Sequence, residues 1–323
     1  MNEFELIRHF FQHPCHDNAV RLGVGDDAAV IAPSPGHELA VSTDTMNEGR
    51  HFFADVPPAS LGHKNLAVNL SDMAAMGATP RWALLAGSLA HNDTDWLTAF
   101  SAGFFALADR YHVALVGGDT TRGATSFTLT ILGEAPTGQA ITRSGARVDD
   151  DIWVSGQLGD AALALAAMNK QIILPQQTLN GLRQRLEMPE PRVELGIHLR
   201  GIATAALDIS DGLSGDLAHI LDASHVGARI HLVDLPRSQT LNDFLNSNQA
   251  LALNCLLAGG DDYELCFTAP PSKRTQIDTI AQSLAIPLTR IGEITDGKML
   301  HVINENGEQI NHLPRAFDHF AND

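Results

Sequence analysis

The chain has 323 residues, 44% of them hydrophobic, with 38 acidic against 21 basic side chains and a formal net charge of −17 at pH 7. That length exceeds one ordinary core and predicts two domains of roughly 150 residues each. The charge excludes docking on nucleic acid or an anionic membrane, both of which need clustered Lys and Arg. With no run of about 18 apolar residues and no basic, apolar leader, a soluble, cytoplasmic protein is expected.

The acids are mostly aspartate, 26 against 12 glutamates. Aspartate is the poorer helix former, so the excess belongs in turns, caps or metal sites. Cys15, Cys255 and Cys266 are odd in number and form no Cys-x-x-Cys spacing. They read as small buried hydrophobes, with no disulfide framework or zinc site.

From the N-terminus, Phe4 to Phe11 reads as a short amphipathic helix, and Leu22 to Ile31 as an apolar strand broken by the turn Gly25-Asp26-Asp27. A second strand, Glu38 to Thr43, ends in Ser42-Thr43-Asp44-Thr45, hydroxyls and a carboxylate where a strand meets a loop; strand ends are where many α/β folds place ligands. His51, taken alone, reads as a structural or surface histidine. Leu61 to Gly77 predicts a helix, with Pro57 and Pro58 before it and Gly77 and Pro80 after it. Its residues Leu66, Leu70, Met73 and Ala74 make a core-facing stripe, while Asn65, Asn69 and Asp72 fall on another ridge. A solvated ridge usually carries Lys, Glu and Arg, so short Asn and Asp side chains there predict a buried or cleft-facing polar ridge.

Trp82 to Ala90 reads as a strand, and Asp95 to Tyr111 as a helix whose Phe100 and Phe104 belong to the core. Val113 to Val116 leads into Gly117-Gly118-Asp119-Thr120-Thr121-Arg122-Gly123, and Ser126 to Glu134 alternates as another strand. Glycines just before an acid let a ligand approach the backbone closely. The segment is not a Walker loop, because no Gly-Lys-Ser/Thr follows. Pro136 to Asp151 is polar and glycine-bearing and predicts a boundary, giving domains 1–149 and 150–323.

In the second half, Ile152 to Ser155 is a strand, Asp160 to Met168 and Arg192 to Gly201 are helices, and Pro175 to Pro191 is a mixed connection. The strand Ala205 to Ile209 runs into Asp208-Ile209-Ser210-Asp211-Gly212-Leu213-Ser214-Gly215-Asp216, and a helix follows to about Ser224. Asp208 and Ser210 share one side of the extended chain while Asp211 opens the turn. Ala228 to Val233 is a strand and Leu241 to Asn246 a helix; Gly259-Gly260-Asp261-Asp262 then repeats the glycine–acid theme before the strand Glu264 to Thr268. Ser272 to Leu284 is a helix, and Thr289 to Thr295 with Met299 to Ile303 form a final strand pair around Asp296-Gly297.

Acids therefore stand in glycine or hydroxyl turns at Asp26/Asp27, Asp44, Asp119, Asp208/Asp211 and Asp261/Asp262, with Asp72 on the helix ridge. Several carboxylates in one place would hold protons unless cations were present. Oxygen ligands without His and Cys clusters point to Mg²⁺, which keeps waters and shares its shell with phosphates, so a nucleotide is the expected third party.

In this order, Gly23-Val24-Gly25-Asp26-Asp27, Ser42-Thr43-Asp44-Thr45, Asn69-Leu70-Ser71-Asp72-Met73-Ala74-Ala75-Met76-Gly77-Ala78, Gly117-Gly118-Asp119-Thr120-Thr121, Asp208-Ile209-Ser210-Asp211-Gly212-Leu213 and Gly260-Asp261-Asp262-Tyr263-Glu264-Leu265 resemble the motifs of the thiamine-monophosphate kinase family, and the likeness extends to the tail Phe317-Asp318-His319-Phe320. The resemblance implies ATP-dependent phosphorylation of thiamine monophosphate to thiamine diphosphate. It also implies an α/β (α+β) chain with the two-domain fold of aminoimidazole ribonucleotide synthetase: an N-terminal sheet that pairs across a homodimer, and a layered α/β C-terminal domain. By position it implies that Asp27, Ser42, Thr43, Asp44, Asp72, Asp119, Asp208 and Asp211 bind several Mg²⁺ ions. Gly118, Asp119, Arg143 and Ser210 would meet ATP, and His51, Asp261 and Phe317 the thiamine phosphate. One departure stands out: the family has Glu where this chain has Asp261.

The chemistry fits without an acid–base residue. A phosphate monoester is already ionised near neutral pH, so the acceptor needs no general base, and the obstacle is the meeting of two anions. Cations held by aspartates would screen and orient both. Two other readings compete. One is a sibling ATP-using synthetase of purine, selenophosphate or hydrogenase-maturation type; the latter two rely on a reactive cysteine near one terminus, whereas Phe320-Ala321-Asn322-Asp323 has none and Cys15 lacks a glycine-rich setting. The other is a non-catalytic nucleotide- or cation-binding protein, which turnover dependent on thiamine monophosphate would exclude.

Overall fold

The computed structural model describes residues 2–14 and 17–314. The chain forms two compact units, Met1–Met73 with Ala78–Ala140, and Ala74–Gly77 with Ile141–Asp323.

The first unit opens with α1 (Glu3–Leu6), continued by a π-helical turn, Ile7–Phe11. β1 (Val20–Leu22) and β2 (Val30–Ile31) pair antiparallel, with the Gly-Asp-Asp turn in the loop between them. Then come β3 (His37–Asn47), α2 (Pro58–Ala75), β4 (Thr79–Leu89), α3 (Thr94–Arg110), β5 (Ala114–Arg122) and β6 (Ser126–Pro136). Four of these strands make one sheet in the order β3-β6-β4-β5, in which β4 and β5 run parallel.

Alternation along the strands gives this sheet two unlike faces. Phe127, Leu129 and Ile131 of β6 are fully buried, and Phe127 stacks on Phe100 of α3 with ring centroids 4.5 Å apart. Ser42 and Asp44 register with Ile131 and Leu129, so they share this helix-covered face. The other face is open, and on it Leu39 and Val41 of β3 are exposed by 44% and 60%.

β3 does not end at Thr43; it runs four residues further and carries the whole Ser-Thr-Asp-Thr run within the strand. The cause is visible on the open face, where Thr43 and Thr45 hydroxyls bond those of Thr130 and Thr128 across the ladder, both at 2.8 Å. Such cross-strand threonine pairs hold the extended chain.

The second unit contains β7 (Asp151–Ser155), α4 (Asp160–Met168), α5 (Gln176–Glu187), α6 (Val193–His198), β8 (Ala205–Asp208), α7 (Leu213–Ser224), β9 (Gly227–His231), α8 (Gln239–Ser247), α9 (Gln249–Ala258), β10 (Leu265–Ala269), α10 (Arg274–Leu284), β11 (Leu288–Thr295) and β12 (Leu300–Ile303). Its six strands lie in the order β12-β9-β11-β7-β10-β8. Ile152, Val154, Leu207 and Cys266 point into a core shared with α4, α5, α7 and α9. On the opposite face Trp153 stacks on Phe267, and α10 is tied to Asp151 there by Arg274, Nε to Oδ2 at 2.7 Å. Cys255 and Cys266 are buried and unpaired, and burial pushes the Cys255 thiol up to about 12.

Three sequence expectations change here. β11 and β12 are not hydrogen-bonded neighbours: β9 lies between them, antiparallel to one and parallel to the other. The mixed connection 175–191 contains α5, a mostly polar helix that buries Leu182 and Leu186. The polar segment 141–150 belongs to the second unit: Ala146 enters its core, and Thr204 Oγ1 donates to Asp150 Oδ2 at 2.7 Å.

Candidate functional site

In the first unit the sheet's inner face and α2 build one acidic surface. Asp72 accepts a hydrogen bond from Ser42 Oγ at its Oδ2, 2.5 Å away, which joins positions thirty residues apart, and Asp44 lies two residues further along the same face of β3. The rest of the ridge is buried as its composition predicts: Asn65 and Asn69 are both 0% exposed. Asn69 Nδ2 donates to the Asn65 carbonyl at 3.1 Å. Both polar atoms of the Asn65 side chain, Asn69 Oδ1 and Ser71 Oγ have no hydrogen-bond partner among the described residues. Buried amides without partners cost stability, so the ridge carries more polarity than packing alone would retain.

Not every assigned ligand lies on this surface. Thr43 alternates to the open face, where its hydroxyl meets Thr130. Asp119 registers with Ala86 on β4, and Ala86 with Thr128, which meets Thr45, so Asp119 too faces the open side. The thickness of the sheet therefore separates the Thr43 and Asp119 side chains from Ser42, Asp44 and Asp72. Beside Asp119, Gly118 has φ +150°, and a β-carbon there would lie 1.9 Å from the Leu85 carbonyl oxygen; only glycine fits. Asp27 stands on the exposed β1–β2 loop, its backbone N–H bonded to Asp26 Oδ1 at 2.9 Å. His51 Nδ1 accepts the Asn47 N–H at 3.0 Å, which leaves the ring proton on Nε2 as a donor.

In the second unit two acid turns fifty residues apart come together. Backbone pairing continues past β8: Ile209 N–H to the Glu264 carbonyl, Tyr263 N–H to that of Ile209, and Asp261 N–H to that of Ser210, at 2.8, 2.8 and 2.9 Å. Gly260 is what allows it, since a β-carbon there would lie 2.2 Å from Ser210 O. Asp208 is buried, Ser210 and Asp211 are half-buried, and the Ser210 carbonyl meets the Asp261 N–H. Asp261 has φ +66°, a conformation that Asp tolerates better than longer side chains.

Asp216, to which the sequence reading gave no role, organises this turn. Its Oδ2 accepts the N–H groups of Ser210, Asp211 and Gly212 at 3.1, 3.0 and 3.0 Å. Burial, offset by those bonds and reinforced by the Asp211 charge, pushes its pKa up to about 7. The signal was present: Asp216 opens α7 four residues beyond Gly212, where a carboxylate can reach back to an N-terminal turn. A second missed group is Glu264, held by Arg192 through Nε to Oε2 at 2.6 Å and by Ser155 Oγ at 2.5 Å. Arg143 lies exposed on segment 141–150, and Phe317 lies outside the described residues.

Every assigned side-chain donor is oxygen. Among the described residues no three His, Cys, Asp or Glu side chains gather closely enough to hold a metal on their own. That disagrees with one preformed carboxylate cluster but suits Mg²⁺, which takes one or two carboxylates, retains waters and fills its octahedron with phosphate oxygens. The donors fit an ion that arrives with a polyphosphate.

Residues 25–135 match the family model described as AIR synthase related protein, N-terminal domain, and residues 147–304 match that of the C-terminal domain. A thiamine-monophosphate kinase of Salmonella typhimurium (strain LT2) is 44% identical over 322 residues, covering 99% of this chain and 98% of the relative. Among solved structures, a thiamine-monophosphate kinase from Stenotrophomonas maltophilia K279a is 47% identical with TM-score 0.84, covering 91% of this chain and 93% of that one. AaThiL complexed with AMPPCP and TMP is 28% identical with TM-score 0.78, covering 90% and 89%.

Proposed function

We infer, from the premise that this chain belongs to the thiamine-monophosphate kinase family, that it transfers a phosphoryl group from ATP to thiamine monophosphate and yields thiamine diphosphate. Likeness over the full length of relatives that carry this name bears the reading, and the complex of a neighbour with AMPPCP, an ATP analogue, and TMP supports it.

The acceptor oxygen is already anionic, so no side chain is assigned as general base. The protein's work is to position two anions in line and to stabilise the charge that develops between them. Mg²⁺ bound with the phosphates would supply charge neutralisation and orientation. In this reading Mg²⁺ ions are held in the first unit by Ser42, Asp44 and Asp72, with Asp27 from the β1–β2 loop, and in the second unit by Asp208 and Asp211. Asp216 fixes the backbone that presents Ser210 and Asp211. Ser210, Arg143, Gly118 and Asp119 serve ATP; His51, through its Nε2 donor, Asp261 and Phe317 serve the thiamine phosphate. Thr43 acts through its backbone.

Asp119 faces away from Asp44 and Asp72 within one chain, so it reaches their cation only from a second copy. The exposed apolar strip Leu39–Val41 on that same open face favours a homodimer built by sheet pairing. A cytoplasmic location fits the acidic composition, and no described helix is long and apolar enough to cross a membrane.

The test is to incubate the protein with MgCl₂, ATP and thiamine monophosphate and separate the products. Thiamine diphosphate and ADP in equal amounts are expected; ATP binding with no diphosphate would overturn the reading.

A further inference from the structure

Residues 261–264 of the second unit form a turn under conformational strain. Asp261 and Tyr263 both take left-handed conformations, φ +66° and +50°, with Asp262 between them. For a bulky side chain that region is an outlier, and such outliers persist only where the surroundings over-determine them. Here they do. The Asp261 and Tyr263 N–H groups bond the Ser210 and Ile209 carbonyls, and the Glu264 carbonyl accepts the Ile209 N–H. Both oxygens of Asp262 lie 3.0 Å from Gly159 N, at the N-terminus of α4. The buried Glu264 carboxylate is gripped by Arg192 and by Ser155 Oγ.

One bond in the turn differs from these anchors. The Tyr263 hydroxyl donates to Asp261 Oδ1 at 3.2 Å, and both side chains are half-buried. It joins residues two apart rather than two elements of the fold, so what it sets is the direction of the Asp261 carboxylate. At 3.2 Å it is longer than an ordinary O–H···O contact, as bonds at unliganded sites commonly are, and it can shorten once a ligand fixes the acid.

We propose that Tyr263 is a positioning residue for the acceptor substrate: its hydroxyl orients the Asp261 carboxylate towards a cationic ligand that also carries N–H donors. The strained, anchored turn keeps that carboxylate in place before the ligand arrives. The proposal rests on the kinase reading, in which Asp261 meets thiamine phosphate, whose thiazolium ring is cationic and whose pyrimidine carries an amino group. A carboxylate already held by a donor loses less freedom on binding, so the gain falls on acceptor affinity and leaves phosphoryl transfer itself alone.

Steady-state kinetics of Tyr263→Phe, Asp261→Ala and the double variant, each in the full chain, test it. Phenylalanine removes one hydroxyl and keeps the ring. Tyr263→Phe is expected to raise KM for thiamine monophosphate about fivefold, with KM for ATP and kcat within about twofold and the melting temperature within about 2 °C. In the Asp261→Ala background the same substitution should move that KM by less than about twofold, because Tyr263 acts through the acid. An unchanged KM in Tyr263→Phe, an effect of equal size without the Asp261 carboxylate, or a parallel rise in KM for ATP with a lower melting temperature overturns the proposal and leaves the kinase reading intact. Wild-type protein that forms no thiamine diphosphate overturns both.

Discussion

The two units anchor their site acids differently. In the first, Ser42 Oγ bonds Asp72, and Arg81 bonds both Asp17 and Glu134, with Trp82 Nε1 adding a 3.0 Å bond to Asp17, beside single backbone bonds from Ala19 and Ser34. In the second, the turn acids are met by backbone: Asp216 takes three consecutive N–H groups, and both oxygens of Asp262 lie 3.0 Å from Gly159 N. A side-chain partner can be lost by one substitution without moving the chain. A backbone cradle loses its shape with its anchor. The first unit should thus show variants that fold and do not work, and the second variants that lose both together.

The largest effect expected is on turnover. Asp72→Asn or Asp44→Asn removes a charge from the inner face while an Asn oxygen can still accept the Ser42 hydroxyl at position 72, so kcat should fall by about 100-fold or more with the melting temperature within about 2 °C. Turnover assay and thermal melt on one preparation check this; unchanged kcat in either variant would break the metal assignment.

Next comes Asp216. Asp216→Ala leaves three N–H groups of the turn without their acceptor and should cost about 2 kcal/mol of stability, a drop of several degrees, together with activity. Asp216→Asn keeps an acceptor and should recover most of the stability. If the alanine variant melts with the wild type, the turn is held by something else and the contrast between the units is lost.

A smaller effect is in pH. The Asp216 carboxyl has a folded pKa of about 7, above its ordinary 3.8, so between those values the folded state binds more proton than the unfolded one. Its contribution is therefore fully present below about pH 4 and lost as pH rises through about 7. Asp17 has the reverse sign: burial would raise its pKa, but the Ala19 N–H and Arg81 outweigh that and hold it low, so its contribution is lost as pH falls below the ordinary carboxylate range. Melting temperature against pH should show Asp216→Asn flattening the slope between pH 5 and 7 while Asp17→Asn alters only the acid limb. Identical changes in both variants would erase the distinction.

The smallest effect concerns Asn65, whose buried amide has no partner among the described residues. Asn65→Leu should raise stability by about 1 kcal/mol. A loss of stability instead would mean that the ridge amide is satisfied in solution.

The same contrast explains what could be read beforehand. Asn65, Asn69 and Asp72 fell on one ridge by helical period, and a buried or cleft-facing ridge followed from the residue types, with Asn65 and Asn69 buried and Asp72 half-buried; the core roles of Phe100 and Phe104 followed from helical spacing. The six motifs, taken in order, were enough to suggest the family. What period could not give was which face of the sheet each site residue occupies. Ser-Thr-Asp-Thr looked like one cluster at a strand end, yet β3 continues through it and sends Ser42 and Asp44 one way and Thr43 the other. Backbone acceptors were equally invisible, because the three N–H groups around Asp216 arise from a turn whose shape is set by long-range pairing with residues 261–264. α9 escaped notice because a ten-residue apolar run has no polar face to mark its period.

In the kinase reading, aspartates of this chain bind polyphosphate through cations. Crystals grown with Mn²⁺, AMPPCP and thiamine monophosphate, measured at the manganese edge, test it most directly. Anomalous peaks are expected within about 2.2 Å of carboxylate oxygens of Asp44 or Asp72 and of Asp208 or Asp211, each shared with a phosphate oxygen. Bound nucleotide with these aspartates free of manganese would contradict it.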